Sequence, residues 1–231
     1  MEKSRVGIIA ALSTEVEALK NELLDKTEEE IAGTKYYLGA IGDYEVVLMQ
    51  CGMGKVSAAS GAQAMISEYH PDYIINTGCA GALDKGLRIG DVVIATETVE
   101  WDLDTMALGN PRGYVSALDK VFMDADKEIG DIIAGNVSES VRVIRGLVVS
   151  GDQFVSKDEQ RSIIFGAFPD ALCAEMEGAA IGHVCTQNNI PFCIVRSMSD
   201  TADGDSGIDF AEYSAKAGEK SAKILLNMLK K

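Results

Sequence analysis

Short apolar runs alternate with amphipathic stretches along this chain, and that alternation limits its fold more than any other feature. Runs rich in Val and Ile predict buried strands at residues 5–12, 73–76, 91–95, 142–150 and 192–197. Helical spacing of small and apolar residues predicts helices at residues 14–24, 56–69, 118–133, 176–188 and 210–229. Residues 35–38 and 45–50, which a Gly-Asp pair separates, predict a hairpin. Together these elements predict an α/β fold of three layers (α/β/α), with a mixed, mostly parallel central sheet.

The length and composition are those of one globular domain, and we expect residues 1–231 to form it. Hydrophobic residues make up 47% of the chain and charged residues 25%, and no segment has the composition of a linker. The longest apolar runs are far shorter than the ~20 residues that a membrane span needs. Acidic residues also follow the N-terminus too closely for a signal peptide. We therefore expect a cytoplasmic protein.

The net charge limits the partners that we expect for this chain, and its cysteines and histidines limit the disulfides and metal sites. A net charge of −15 repels nucleic acid and anionic membranes, so we expect neither as a partner. The five cysteines form no CxxC pair, which is typical of reduced thiols rather than of a disulfide framework. With two histidines and no clustered Cys and His, we expect neither a metal site nor a cofactor.

Four segments at the predicted strand exits are rich in glycine and polar residues, and ligands bind at such exits in parallel sheets. They are residues 12–15, 51–55, 76–81 and 196–200. The second segment, CGMGK, lacks the spacer and the Ser or Thr of a P-loop. The third, NTGCAG, lacks the last glycine of a dinucleotide fingerprint. Both can be tight turns, or they can let a small ligand approach the backbone closely.

Carboxylates stand at these exits, and each has a purely structural alternative. Asp200 ends an apolar strand, where partial desolvation would raise its pKa and let it act as an acid near neutral pH. It could instead cap the next helix. Glu15 lies in the first turn of a helix, a position that the helix dipole alone favours. Glu175 and Glu177 flank the start of another helix, where they could bind a sugar diol or form a capping pair.

The combination of Glu15, Glu177, Asp200 and Arg196 at the exits of one predicted sheet indicates a reaction class. Cleavage of a glycosidic bond needs an acid for the leaving group, a base for water, and negative charge near an oxocarbenium-like transition state. A purine leaves poorly unless its N7 is protonated, and a protonated Asp200 would do this. The four residues are therefore a possible set for cleaving a glycosidic bond, such as that of a purine nucleoside.

Six blocks of sequence cover essentially the whole chain in order: GIIAALSTEV, CGMGKVSAA, PDYIINTGCAGAL, RGLVVSGDQFV, AEMEGAAIGHVC and VRSMSD. Together they resemble the 5′-methylthioadenosine/S-adenosylhomocysteine nucleosidases of the purine nucleoside phosphorylase family. The resemblance implies a nucleoside phosphorylase-like fold and an N-glycosyl hydrolase that releases adenine and a 5′-thioribose product in methionine salvage. It also implies a homodimer, in which the segment from Trp101 to Pro111 contributes to the partner's pocket.

The resemblance further implies catalytic roles for four matching residues. Asp200 would donate a proton to N7 of adenine and hydrogen-bond its exocyclic amine, and Ser199 would orient it. Glu15 would activate the attacking water with help from Arg196. The two carboxylates would therefore divide the work between the leaving base and the water.

The implied binding residues surround the sugar and the base. Glu177 would hold the ribose hydroxyls, and Met176 would pack beneath the sugar. Phe154 would stack on the base, the backbone of Val155 would read its edge, and Met53 would lie in the apolar wall. The full expected set of substrate-binding residues is Met53, Cys79, Leu108, Phe154, Val155, Glu175, Met176, Glu177, Arg196 and Ser199.

The chain departs from the usual family pattern at five positions. Cys79 stands where a Ser is usual, so any help from a hydroxyl is lost or replaced by a weaker thiol. Leu12 replaces a Met near the sugar, which is a volume-conserving change. Trp101, Thr105 and Leu108 occupy positions that are often a His, an aliphatic residue and an aromatic residue near the thio-group end. The 5′ substituent is therefore the part of the substrate that the sequence defines least.

Three other functions stay open at this point. A phosphorylase on the same fold would need cationic donors for phosphate, where this chain has Glu15. A nucleosidase for another adenine nucleoside, such as aminodeoxyfutalosine, would differ in the segment from Trp101 to Leu108. A non-catalytic nucleoside-binding protein would have lost an acid or a base, whereas Glu15 and Asp200 are both present.

Overall fold

The computed structural model describes residues 3–201 and 206–231. The strands within these ranges are β1 (Arg5–Ala10), β2 (Leu24–Ile31), β3 (Thr34–Ile41), β4 (Tyr44–Gln50), β5 (Tyr73–Ala82), β6 (Val92–Glu100), β7 (Met123–Asp124), β8 (Val143–Ser150), β9 (Ala171–Glu175) and β10 (Phe192–Asp200). The helices are α1 (Ser13–Lys20), α2 (Lys55–Tyr69), α3 (Lys127–Ala134), α4 (Asp158–Ala167), α5 (Gly178–Asn188) and α6 (Ser206–Leu229). A short 3₁₀ turn covers Met106–Leu108.

One mixed sheet contains all these strands, and its centre is parallel. Strands β4, β1, β5 and β10 lie side by side in parallel, while β2 and β3 extend the sheet as an antiparallel meander beyond β4. On the other side, β10 pairs antiparallel with β6, and β6, β8 and β9 continue in parallel. The mixed α/β sheet that the sequence predicts is confirmed. The predicted hairpin is confirmed as β3 and β4.

The sheet also closes on itself, which the sequence does not predict. Strand β9 pairs not only with β8 but also with the end of β5, at Gly81 and Ala82. Strand β1 pairs with the beginning of β5, up to Asn76, so β1 and β9 share one edge of β5. Cys79 lies between these two pairings, and its N–H donates to the side chain of Glu15 at 3.2 Å. The divergence of β1 from β9 therefore leaves a gap in the sheet at Cys79, beside Glu15.

Helices cover the sheet in two layers, as the alternation predicts. Helices α2 and α5 pack on one face around residues such as Met65 and Ile181. Helices α1, α3 and α6 pack on the other face around residues such as Leu19 and Leu225. A third cluster, with Ile164 of α4, packs beside strands of the closed part of the sheet. The small residues of α2 and α5, such as Gly61 and Gly182, let these helices approach their neighbours closely.

Several predicted boundaries are wrong. The helix predicted at residues 14–24 ends at Lys20, and β2 follows it; nearly all the side chains of β2 are exposed, so it lacks the apolar signal of a strand. The helix predicted at residues 118–133 is mostly not helical, because α3 begins only at Lys127, where Asp126 accepts a hydrogen bond from the N–H of Ile129 at 2.9 Å. Helix α4 and strand β9 were not predicted. No helix within the described ranges is long and apolar enough to cross a membrane.

Candidate active site

A cleft with about 490 Å³ of empty space lies at the carboxyl ends of β1, β5, β9 and β10. Of the residues that the sequence predicts for the site, Leu12, Glu15, Met53, Cys79, Phe154, Glu175, Met176, Glu177, Arg196, Ser199 and Asp200 line it. Val155 lines an adjoining recess of about 240 Å³, which also contacts Phe154, Met176 and Asp200. The structure thus brings together side chains from the two ends of the chain.

Glu15 is held by backbone donors on two sides. Its Oε2 accepts hydrogen bonds from the N–H groups of Ala11 and Leu12, at 3.0 and 2.9 Å. Its Oε1 accepts the hydrogen bond from the N–H of Cys79 in β5. The side chain is almost fully buried, yet it lines the cleft. Glu15 therefore stabilises the start of its own helix and also presents a fixed carboxylate to a ligand, so the two interpretations of this residue are compatible.

Arg196 is the buried cation of the site. Its Nη2 donates to Glu175 and to the side-chain carbonyl of Asn76, and it lies 3.7 Å from Oε2 of Glu177. Burial alone would lower the pKa of Arg196, but the surrounding carboxylates, with Glu175 foremost, outweigh it and raise the pKa. The guanidinium therefore stays charged and compensates part of the negative charge in the cleft.

Glu175 faces protein donors rather than free space. It accepts hydrogen bonds from Ser150 Oγ, from Arg196, and from the N–H groups of Glu177 and Gly178 at 3.0 and 2.8 Å. Although Glu175 lines the cleft, these donors occupy its carboxylate, so its observed contacts fix the start of α5 and the orientation of Arg196. This differs from the direct binding of a sugar diol that the sequence left open for it.

Glu177 is the N-cap residue of α5, and its carboxylate accepts a hydrogen bond from the N–H of Gly54 at 2.9 Å. Burial raises the pKa of Glu177, and the neighbouring Glu175 raises it further. Arg196 and the Gly54 N–H act in the opposite direction, while Glu15 adds a smaller increase. The carboxylate of Glu177 is thus easier to protonate than an ordinary Glu, because it is desolvated among like charges.

Asp200 is buried at the end of β10, beside Ser199. The hydroxyl of Ser199 donates to Oδ2 of Asp200 at 2.9 Å, and both residues line the cleft. This contact matches the orienting role that the resemblance implies for Ser199. Strand β10 extends three residues beyond the apolar run at residues 192–197, and Asp200 is its last residue.

Apolar and aromatic side chains form the rest of the cleft. The ring of Phe154 packs edge-on against Phe210, with 5.3 Å between ring centroids and an angle of 73° between the planes. Met53 and Met176 complete this wall, and Met53 is 65% exposed. Phe210 was not predicted as a site residue, because an aromatic residue in an amphipathic helix normally indicates core packing.

The structure separates some predicted residues from the cleft. Trp101 is buried in the third core cluster and does not line the cleft of its own chain. Leu108 is 80% exposed and does not line the cleft of its own chain. Thr105 precedes the 3₁₀ turn that carries Leu108. Within the described residues, none of these three side chains lines the cleft, and their contribution to a partner subunit's pocket stays a prediction.

Sequence reasoning missed two polar residues that support the site. Asn76 accepts from Arg196 and donates to the carbonyl of Ile9 in β1 at 2.9 Å, so it ties the cation to the neighbouring strand. Ser150 donates to Glu175 and accepts from the N–H of Ala179 at 2.6 Å. Each ends or interrupts an apolar run of a strand, which is the same signal that identified Asp200.

Known proteins are similar to this chain over nearly its full length. The family model of the phosphorylase superfamily matches residues 5–230. A 5′-methylthioadenosine/S-adenosylhomocysteine nucleosidase of Haemophilus influenzae (strain PittEE) is 40% identical over 97% of this chain and 98% of its own length. The structure of a nucleosidase with the same name from Neisseria meningitidis, in complex with methylthio-immucillin-A, has a TM-score of 0.95 and 36% identity, covering 98% of this chain and 99% of that one.

A third match comes from Colwellia psychrerythraea. Its 5′-methylthioadenosine/S-adenosylhomocysteine nucleosidase, solved in complex with adenine, has a TM-score of 0.94 and 34% identity, covering 98% of this chain and 95% of that chain. Both the fold and the sequence are therefore shared along the whole length, including the strands that end in the cleft. The chain belongs to the phosphorylase superfamily and, within it, to the 5′-methylthioadenosine/S-adenosylhomocysteine nucleosidases.

Proposed function

We propose that this chain hydrolyses the N-glycosidic bond of 5′-methylthioadenosine and S-adenosylhomocysteine, releasing adenine and the 5′-thioribose product. One observation supports this most strongly: Glu15 and Asp200 line a single cleft together with Glu177. The related proteins named above carry the same activity in their names, and one of their structures contains adenine.

Asp200 acts on the leaving base. As the C1′–N9 bond breaks, its electron pair passes to the purine ring, and a proton from the Asp200 carboxyl moves to N7. The hydroxyl of Ser199, which donates to Asp200, fixes the orientation of that carboxyl. Departure of a neutral adenine replaces departure of an anion, which is how a general acid lowers the barrier.

Glu15 acts on the water. Its carboxylate accepts a proton while the water oxygen forms the new bond to C1′. The backbone donors of Ala11, Leu12 and Cys79 fix its position in advance. Arg196 supports this group by keeping a positive charge near the carboxylates of the cleft, and the oxocarbenium-like sugar is stabilised by the negative charge around it.

The remaining side chains bind the substrate. Glu177 accepts hydrogen bonds from the ribose hydroxyls, and Met176 packs beneath the sugar. Phe154 stacks on the adenine, the backbone of Val155 hydrogen-bonds its edge in the adjoining recess, and Met53 lies in the apolar wall. Glu175 positions Glu177 and Arg196 rather than the ligand.

Phosphorolysis is less compatible with this cleft. Among the described residues, Glu15, Glu175, Glu177 and Asp200 line it with a single cation, Arg196, which already donates to Glu175. A phosphate nucleophile would therefore meet carboxylates where it needs hydrogen-bond donors.

Adenine release tests the reaction class and the substrate together. Adenine is measured after incubation with 5′-methylthioadenosine, S-adenosylhomocysteine and adenosine, each with and without inorganic phosphate. We expect release from the two thio-nucleosides that does not depend on phosphate. Strict dependence on phosphate would contradict hydrolysis, and no release from any of the three would favour a binding protein.

We also propose a homodimer and a cytoplasmic location. Met106 and Leu108 follow β6 in the chain and are exposed apolar side chains in the segment that we expect to reach a partner subunit. The five cysteines are unpaired, as expected in a reducing compartment. Sedimentation at equilibrium tests the dimer, and charged substitutions at Met106 and Leu108 should weaken it.

A further inference from the structure

An ionic cluster, which is partly buried and has Asp152 on its exposed side, lies beside the cleft and is not part of its lining. It consists of Lys55, Glu100, Asp102, Asp152 and His183. Nζ of Lys55 donates to Glu100 Oε2 at 2.9 Å and to Asp102 Oδ1 at 2.6 Å, and the side chains of these three residues are at most 15% exposed. The other oxygen of Glu100 lies 3.0 Å from Nδ1 of His183 in α5.

The backbone at Lys55 connects this cluster to the cleft. The N–H of Lys55 donates to Oδ1 of Asp152 at 2.8 Å, and the N–H of Asp152 donates to Oδ2 of Asp102, also at 2.8 Å. The preceding N–H, that of Gly54, is the one that donates to Glu177. The consecutive N–H groups of Gly54 and Lys55 therefore donate to different sites: Gly54 to Glu177 in the cleft, and Lys55 to Asp152 in the ionic cluster.

The first turn of α2 depends on groups from outside the helix. Its N-cap residue for α2 is Gly54, which has a φ of +100° and no side chain, so Asp152 supplies the carboxylate that a capping side chain would supply. The neighbouring apolar side chains contribute little burial, since Met53 is 65% and Val56 79% exposed. The two ion pairs of Lys55 restrain the first turn of α2 in addition to the cap from Asp152.

We propose that Lys55 is a positioning residue for ribose binding: its ion pairs hold the start of α2 so that the N–H of Gly54 points at Glu177. This inference rests on the proposed function, because it assigns Glu177 to the ribose hydroxyls. The charge of Lys55 is secure, because Asp102 and Glu100 raise its pKa despite its burial. Loss of the Gly54 hydrogen bond would leave Glu177 both less fixed and easier to protonate, since that N–H lowers its pKa.

The inference predicts a change in KM rather than in kcat. Replacing Lys55 by Met keeps the length of the side chain and removes its charge. We expect KM for 5′-methylthioadenosine to rise about tenfold, as for the loss of one hydrogen bond to a charged group, while kcat changes by less than about threefold. Lys55→Arg, which keeps the charge, should return KM to within about threefold of the wild type.

Two controls separate positioning from a general loss of structure. Lys35→Met removes a lysine that is paired with Glu28 at the far edge of the sheet, and it should leave both constants unchanged. Adenine has no ribose, so its Kd, measured by calorimetry, should be the same for Lys55→Met and for the wild type. If Lys55→Met does not fold, Asp102→Asn weakens the same restraint and should raise KM in the same direction.

The outcomes distinguish the two proposals. A wild-type protein that releases no adenine overturns the proposed function and this inference with it. If the wild type is active and Lys55→Met has the same KM as the wild type, the inference alone is overturned. The same holds for Asp102→Asn where that variant replaces Lys55→Met. Equal weakening of adenine and of the nucleoside also overturns it, because the effect would then not act through the ribose.

Discussion

Gly218 of α6 lies directly against Glu15, and a Cβ at position 218 would come 2.8 Å from Cγ of Glu15. A glycine inside a helix costs about 1 kcal/mol relative to alanine. The chain nevertheless has glycine here, and the space that it leaves is filled by the side-chain stem of Glu15, the residue that we assign to water activation. Stability and activity should therefore respond differently to a change at this position.

Gly218→Ala should reduce activity with little loss of stability. The added methyl group displaces Glu15 from its backbone donors, while the gain in helix propensity offsets part of the strain. We expect kcat to fall about tenfold or more, since a displaced general base loses much of its contribution. The control is Gly166→Ala in α4, where an added Cβ meets nothing within 4 Å. A Gly218→Ala enzyme with wild-type kcat would show that the position of Glu15 is not critical.

Asp200→Asn should abolish turnover and leave the fold intact. The amide is similar in shape to the carboxyl and still accepts the hydrogen bond from Ser199, but it has no proton to give to N7. One general acid typically contributes about 10²- to 10⁴-fold, so the loss should be evident in an adenine-release assay. Thermal unfolding measured alongside checks the fold. A rate near that of the wild type would refute the assignment of Asp200 as the acid.

Substrate binding should weaken below neutral pH because of Glu177. Burial and Glu175 raise the pKa of Glu177 to about 7, and only its ionised form offers both oxygens to the ribose hydroxyls. We therefore expect KM to rise as the pH falls through about 7. KM measured across this range for the wild type and for Glu177→Gln tests the cause. The variant should bind more weakly throughout and lose this pH dependence; if it keeps the wild-type profile, another group is responsible.

The same pKa shift should affect stability in a defined direction. Glu177 holds its proton more tightly in the folded chain than in the unfolded chain, where the ordinary value of 4.5 applies. Its contribution to the free energy of unfolding is therefore greatest in acid and decreases as the pH rises from about 4.5 to about 7. Urea denaturation at several pH values compares the wild type with Glu177→Gln. If the free energy of unfolding changes with pH equally in the variant and in the wild type, Glu177 does not cause that change.

Cys79→Ser should have little effect on the reaction. Position 79 contacts Glu15 through its backbone N–H, and the substitution retains this group. Burial raises the pKa of the Cys79 thiol, with Glu15 contributing further, so the native thiol is protonated and nearly the size of the hydroxyl. We expect kcat/KM to change by less than about threefold. A large gain in kcat would mean that a hydroxyl at position 79 takes part in activating the water.

The parts of the fold that were predictable are those in which burial leaves a pattern. Strand β10 is buried at every position and strands β1 and β5 at nearly every position, so each contains a continuous apolar run. Strand β2 at the sheet edge is exposed along its length and has no such pattern. The pairing of β9 with the end of β5 involves two residues of each strand, and nothing local specifies it.

The residues of the site also divide into those that the sequence can predict and those that it cannot. Glu15, Glu177 and Asp200 were recognisable because each is a carboxylate at the end of an apolar element. Asn76 and Gly218 matter only through contacts with Arg196 and Glu15, which are distant in sequence. Such supporting roles depend on the closed tertiary structure, so a pattern within one segment cannot reveal them.

The position of β10 has a consequence for synthesis of the chain on the ribosome. This strand inserts between β5 and β6 and pairs with both. Until residues 192–200 are made, both neighbours present an unpaired edge, which is a template for association with other chains. A nascent chain that stops before this strand therefore has no Asp200 and two exposed edges, so a stalled product should aggregate rather than persist as an inactive but folded fragment.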